Sequence, residues 1–305
     1  MAVRIRSDWN LLSGEERCTT AYAIDIVLHF CYSFALRTRS LGDERVLTKP
    51  IVVKLGGSTL GSHDTTLDDL VALQKRGMLP VVVHGGANVV TEWLKRLSIP
   101  TRFVKGLRVT DAETLRVVIA ILAGLVNKEL VAAIEASGGQ AVGLSGIDGG
   151  LLEARVKDAE MGYVGEVARV NPVVLQAVLG TGFIPVIAPL SLQSSPSRGD
   201  NGFVLNVNGD TAAGMIAAAL EAERLIFLTD VAGIYRASGE LIEQLSPKEA
   251  RDLLDSGIAS GGMIPKIEAC LLALSTVRMT RIIDGRLPHA LVKEVEGSMV
   301  GTTIA

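Results

Sequence analysis

A chain of 305 residues, 48% apolar but only 4% aromatic, can bury one large core or two lobes without disulfide or metal staples. Its formal charge of −3, with basic residues scattered along the chain, excludes a nucleic-acid footprint and favours a small-molecule partner. Cys18, Cys31 and Cys270 are odd in number and lack C-x-x-C spacing, and His29, His63, His84 and His289 are dispersed. Neither a disulfide framework nor a transition-metal site is expected.

Ala21 to Leu36 is apolar but carries Asp25 and His29, and it falls short of the roughly twenty apolar residues of a membrane span. Glu15, Glu16 and Arg17 precede it, which is not the basic flank of a signal peptide. Residues 1–48 therefore read as an N-terminal helical extension outside the main fold, with the cytoplasm as the default location. From Pro50 the pattern changes. Ile51-Val-Val-Lys54 is a β-branched run ending in Gly56-Gly57, then Leu67 to Arg76 reads as a helix. Leu79 to Val83 is a second strand ending in His84-Gly85-Gly86, and Val89 to Leu97 has helical spacing. Strand, glycine turn and helix, twice over, predict a mainly parallel sheet with ligands at the carboxyl ends of its strands.

Thr110-Asp-Ala-Glu113 reads as a capping box opening a long helix to about Ala136. Leu115, Val118, Ile119, Leu122, Leu125, Val126 and Leu130 cover more than one stripe of it, wide enough to pack on a core and on a second subunit. Gln140 to Leu144 is a further strand. Leu152 to Val156 and Val164 to Val170 read as a β-hairpin, and Phe183 to Ala188 as a buried strand. Asp200-Asn-Gly202 is a hairpin turn signal, and Asp210 begins an alanine-rich helix to about Ala222, most simply as its N-cap. The lobe boundary is placed near Glu221. Beyond it, Leu225 to Thr229 is a strand ending in Asp230, Ser246-Pro-Lys-Glu249 a capping box, Gly261-Gly262 the lead into a helix to about Val277, and Thr280 to Ile283 a strand.

No G-x-x-x-x-G-K-[ST] loop occurs, so phosphate would have to be held by the glycine turns, whose backbone N–H groups can converge on an anion. Lys54 inside an apolar strand and Lys266 near a helix start, where a cation is electrostatically disfavoured, both suit an anion. The residues alone support an α/β protein with anion-binding turns.

Several motifs occur in order: Lys54-Leu-Gly-Gly57, His84-Gly-Gly86, Lys105-Gly-Leu-Arg-Val-Thr-Asp-Ala-Glu113, Leu125-Val-Asn-Lys-Glu-Leu130, Gly143-Leu-Ser-Gly146, Asn206-Val-Asn-Gly-Asp210, Leu228-Thr-Asp-Val231 and Gly261-Gly-Met-Ile-Pro-Lys266. Together, from Ile51 to the C-terminus, they resemble the acetylglutamate kinases of the amino acid kinase family. The resemblance implies a three-layer α/β sandwich with a mainly parallel central sheet, β-hairpins and an N-terminal helical extension (1–48). It implies a substrate lobe with the dimer interface (49–221) and an ATP lobe (222–305). It further implies transfer of the γ-phosphate of ATP, with Mg²⁺, to the side-chain carboxylate of N-acetyl-L-glutamate. By that likeness Lys54 and Lys266 hold the phosphates, Asp210 orients them, and Gly57, Gly85 and Gly86 donate N–H groups. Arg108 and Asn206 grip the substrate, and Asp230 belongs to the ATP lobe. No residue is implied as a metal ligand. The chemistry suits these residue types, since a carboxylate with a pKa of about 4.3 is ionised at neutral pH and needs no general base.

The sequence departs from the family in two places. Ala87 stands where a third glycine is usual, and Gly209 where an alanine precedes the aspartate. In the arginine-inhibited branch an N-terminal helix links dimers into a hexameric ring and a C-terminal segment binds arginine. Tyr22 to Leu36 matches that helix, and His289 to Gly301 partly resembles the segment, with Glu294 to Gly301 about one residue short. The competing readings are a kinase for a carrier-bound aminoadipate or glutamate, which would need a basic rim, and a silent amino-acid sensor, against which the intact Lys54, Asp210 and Lys266 argue.

Overall fold

The computed structural model describes residues 49–56, 65–104, 106–194, 203–259, 261–298 and 300–305. The N-terminal extension, Gly57, His63 and the Asp200-Asn-Gly202 turn lie outside the described residues. Lys49–Ala305 form one compact unit.

At its centre is an eight-stranded sheet. The order is Gln244–Leu245, Gly301–Ile304, Met279–Asp284, Arg224–Thr229, Ile51–Leu55, Pro80–His84, Ile184–Ala188, Ala141–Ser145. The last six run parallel, and Gly301–Ile304 is antiparallel to Met279–Asp284. Both faces are covered, as parallel strands with apolar residues on each side require. Val52, Val81, Phe227 and Ile282 point to a core shared with the helices Gly209–Ala219 and Met263–Ala273. Val53, Val82, Ile226 and Ile283 point to the other core, under the helices Thr66–Lys75, Ala87–Arg96, Ala112–Ala136 and Ala290–Val295. Helix, sheet and helix make the three layers.

Several elements depart from the sequence reading. The long helix does begin after Thr110, but Asp111 is its cap, accepting from the Thr114 N–H at 2.8 Å. Thr110 is fully buried and its hydroxyl donates to the Arg108 carbonyl instead. The helix also contains a seven-residue π-helical stretch, Ala120–Val126, that no propensity signals. By length and hydropathy Ala112–Ala136 could cross a membrane, but Val118, Leu122, Leu130 and Ile134 are buried against the sheet and its neighbours. The hairpin of Leu152–Val156 and Val164–Val170 is present, and with Leu190–Gln193 and Val204–Val207 it closes into a four-stranded barrel. The capping box at Ser246 is complete in both directions. Asp69 on the first helix receives the N–H groups of Leu291 and Val292, so it caps the short C-terminal helix across the fold.

Candidate active site

Side chains alternate along a strand, so Lys54 shares its face with Val52 and points toward the helix Gly209–Ala219. Its Nζ lies 2.5 Å from Oδ1 of Asp210, and Lys266 Nζ lies 3.2 Å from Oδ2. The sequence reading made Asp210 the helix cap; the structure gives that task to Asn208. Its side-chain oxygen accepts from the Asp210 and Thr211 N–H groups at 2.8 and 3.0 Å. Asp210 is thereby released to bridge two ammonium groups. Burial works against its charge, but the two lysines outweigh burial and hold its pKa below the usual carboxylate range. Lys266 sits in the first turn of Met263–Ala273, where a cation is disfavoured, and is held there by Asp210 and the Gly262 carbonyl at 3.0 Å.

The glycine turn after the second strand leads into the helix Ala87–Arg96, whose start has no side-chain cap. Its first internal bond runs from the Val90 N–H to the Gly86 carbonyl, so the N–H groups of Ala87, Asn88 and Val89 precede the ladder. Such an end attracts anions. Gly86 has φ 143°, a conformation that strains any L side chain, and a Cβ there would lie 2.7 Å from Leu122 Cδ2, so glycine is strongly favoured. Ala87 is a helical residue without positive φ, and the missing third glycine costs nothing. The two glycines differ in availability. Gly85 already donates its N–H to the Leu55 carbonyl at 2.9 Å, whereas Gly86 has no N–H partner among the described residues.

A cavity opens beside this turn, with Gly85, Gly86, Arg108, Asn206, Asn208 and Gly209 among its walls. Arg108 is buried, stacked 4.7 Å over the Phe103 ring, and its Nη2 donates to the Ala87 carbonyl (3.0 Å) and the Thr91 hydroxyl (2.7 Å). Its Nη1 is buried with no partner among the described residues, and burial lowers the guanidinium pKa. An unpaired donor on a buried cation is costly unless an anion meets it. Asn206 donates to Thr110 Oγ1 at 3.3 Å, so the buried threonine ties both residues to one wall. Gly209 links this cavity to the lysines. A Cβ there would lie 3.7 Å from Lys54 Cε, an ordinary contact, so the family's alanine would also fit.

Lys54, Asp210 and Lys266 thus form one cluster, and Gly85, Gly86, Arg108 and Asn206 line the adjoining cavity. Asp230 belongs to neither. It is exposed after the strand Arg224–Thr229, near Arg286, which pairs with Asp284 at 2.7 Å. Sequence reasoning missed Phe103, Thr110 and a buried pair beneath the turn, His84 and Asn127. The available signal was a histidine at a strand end directly before two glycines, and a lone asparagine in an apolar helix.

The amino acid kinase family model matches residues 49–284. An acetylglutamate kinase of Dehalococcoides mccartyi is 48% identical over 83% of this chain and 93% of its own length. One from Nostoc sp. is 46% identical over 84% of this chain and 87% of its own. Among solved structures, smu.665 of Streptococcus mutans UA159 superposes with a TM-score of 0.72 at 28% identity, covering 85% of this chain and 99% of that one. Lysines bridged by one carboxylate, a glycine turn at an uncapped helix and the extent of these matches agree: the chain belongs to the amino acid kinase family, among its acetylglutamate kinases.

Proposed function

We propose that this protein transfers the γ-phosphate of ATP to the side-chain carboxylate of N-acetyl-L-glutamate, giving N-acetyl-L-glutamyl 5-phosphate, a step of arginine biosynthesis. The observation that carries the reading is the bridging of Lys54 and Lys266 by Asp210 beside a cavity holding an unpaired Arg108 donor. Arg108 pairs the α-carboxylate of the substrate, and Asn206 holds its acyl-amino portion. A carboxylate oxygen attacks the γ-phosphorus as the bond to the ADP oxygen breaks. Lys54, Lys266 and the Gly86 N–H offset the charge on the transferring group, and Asp210 fixes the spacing of the two ammonium groups. No proton need be removed, because the acceptor is ionised at neutral pH. Catalysis of this kind rests on positioning and charge stabilisation.

The residues here suit Mg²⁺ as a companion of the nucleotide. Asp210, the carboxylate in the cluster, is engaged by two lysines, and a small hard cation binds readily through phosphate oxygens and water. Mg²⁺ would neutralise the phosphate oxygens. Residues 49–221 form the substrate half and 222–305 the nucleotide half, with Asp230 on the nucleotide side. Ile119, Ala123 and Leu125 of the long helix are half-buried, packed against the core with part of their apolar surface uncovered, which suits a homodimer; the location assigned is the cytoplasm. Residues 1–48 are the candidate for joining dimers into a hexamer.

The test is ATP-dependent acyl phosphate formation, trapped as hydroxamate, with N-acetylglutamate beside glutamate, aspartate and aminoadipate. Turnover restricted to N-acetylglutamate, abolished by Lys54→Ala in a folded protein, is the expected result. Turnover unchanged by Lys54→Ala removes the mechanism, and no turnover on any acceptor moves the reading to a carrier-bound substrate or a sensor.

A further inference from the structure

Beneath the glycine turn lies a buried polar chain that the transfer as described does not use. His84 ends the second strand with no exposed surface, and its Nδ1 is 2.7 Å from the carbonyl oxygen of Gly85. Its Nε2 is 3.2 Å from Asn127 Nδ2. That amide nitrogen also lies 2.9 Å from the Val186 carbonyl and 3.1 Å from the Leu144 carbonyl. Asn127 Oδ1 accepts from Lys128 Nζ at 3.0 Å.

These contacts leave one assignment of hydrogens. Two carbonyl oxygens can only accept, so the Asn127 atom facing them is its NH₂. The same group faces His84 Nε2; its two hydrogens are shared among three acceptors, and because an amide nitrogen does not accept, Nε2 is the ring nitrogen that carries the lone pair. Gly85 O can only accept, so Nδ1 carries the proton. The ring is neutral with its tautomer set from both sides. Burial, ahead of the charges of Lys54 and Lys128, lowers its pKa to about 4, so this state persists through the neutral range.

The consequence lies in the next peptide unit. The Gly85–Gly86 peptide is planar and trans, so its C=O and N–H point in opposite directions. Pinning the Gly85 oxygen against His84 turns the Gly86 N–H away from the ring, and that donor has no partner among the described residues. With φ at 143° and no Cβ, Gly86 has little intrinsic resistance to rotating this peptide plane. Something must hold the plane. We propose that His84, locked by Asn127, is a positioning residue that fixes the Gly85–Gly86 peptide so that the Gly86 N–H faces the transferring phosphoryl group. This rests on the phosphotransfer reading above and adds residues to the same site.

Two measurements test it. In protein labelled with ¹⁵N-histidine, long-range ¹H–¹⁵N correlation reads the tautomer directly, with His84→Asn identifying the resonance. The expected result is a protonated Nδ1 and an unprotonated Nε2; a protonated Nε2 in an active chain overturns the proposal alone. No acyl phosphate from the unmodified chain overturns the functional reading and this proposal with it. The second measurement is kinetic. Loss of one preorganised donor costs about 10²–10³ in kcat, so loosening it through His84→Leu is expected to lower kcat about 10- to 100-fold. KM for N-acetylglutamate should change less than about threefold, because Arg108 and Asn206 are untouched. Asn places an N–H donor where Nδ1 stood, so His84→Asn should recover most of kcat. Unchanged kcat in His84→Leu refutes the proposal. So does equal loss in both variants when their melting curves match that of the parent.

Discussion

Replacing Gly86 with alanine tests how tightly the turn is built. The new methyl would sit 2.7 Å from Leu122 Cδ2, well inside contact, and the backbone would keep φ 143°. The conformational part costs about 1–2 kcal/mol or more for an L-residue at positive φ. The clash adds about 1–3 kcal/mol, typical of overpacking a filled core. The sum, about 2–5 kcal/mol, is a large share of the roughly 5–15 kcal/mol that holds a domain folded. The assay is urea denaturation at fixed protein concentration, because association shifts apparent stability. Leu122→Ala supplies the decisive background. It removes the obstructing methyl and leaves the backbone cost, so Gly86→Ala should then cost only about 1–2 kcal/mol. A cost below about 0.5 kcal/mol in the parent, or the same cost in both backgrounds, would refute the reasoning.

Two further outcomes follow from the site. Arg108→Ala deletes a charge-assisted contact worth about 1.5–3 kcal/mol, so kcat/KM for N-acetylglutamate should fall about 10- to 150-fold, while KM for ATP stays close to its parent value; an equal rise in both KM values would place Arg108 elsewhere. Asp210→Asn leaves Lys54 buried opposite an uncharged partner and should cost about 3–5 kcal/mol at pH 7. Because the folded pKa of Asp210 is depressed, its contribution is complete above the unfolded value near 3.9 and fades as pH falls through the lower folded value. The stability gap between parent and Asp210→Asn should thus be flat from pH 5 to 8 and narrow only below about pH 4. A gap that closes nearer neutrality would contradict the ion pairs.

The three-layer fold was legible because its signals are local and strong. Ile51-Val-Val-Lys54 and Leu79 to Val83 are apolar on both faces, as strands covered from two sides must be, and Ser246-Pro-Lys-Glu249 carries its whole cap within four residues. The failures share a cause. Thr110 and Asp111 both look like caps, and the choice was made by Arg108 and Asn206, which bury the threonine hydroxyl. Asp210 was read as a cap, but Asn208 takes that place and Asp210 is engaged by two lysines from the first strand and a later helix. The barrel closes through Leu190–Gln193 and Val204–Val207, and Gln244–Leu245 is too short for any alternation to register. His84 and Asn127 are far apart in the chain and meet where the residue after the π-helical stretch packs beneath the glycine turn, a contact no local pattern announces.

The strand Ile51–Leu55 opens the folded unit in sequence but sits in the middle of its sheet, between Pro80–His84 and Arg224–Thr229. During synthesis it can pair early with the neighbour that follows it, while its other edge waits for a partner emerging much later. An unpaired apolar edge invites pairing with another chain, and a charge within it discourages that. In IVVKL the interrupting charge is Lys54. The ammonium group that Asp210 holds in the finished protein is thus also the charge that can discourage such pairing before the strand's partners arrive.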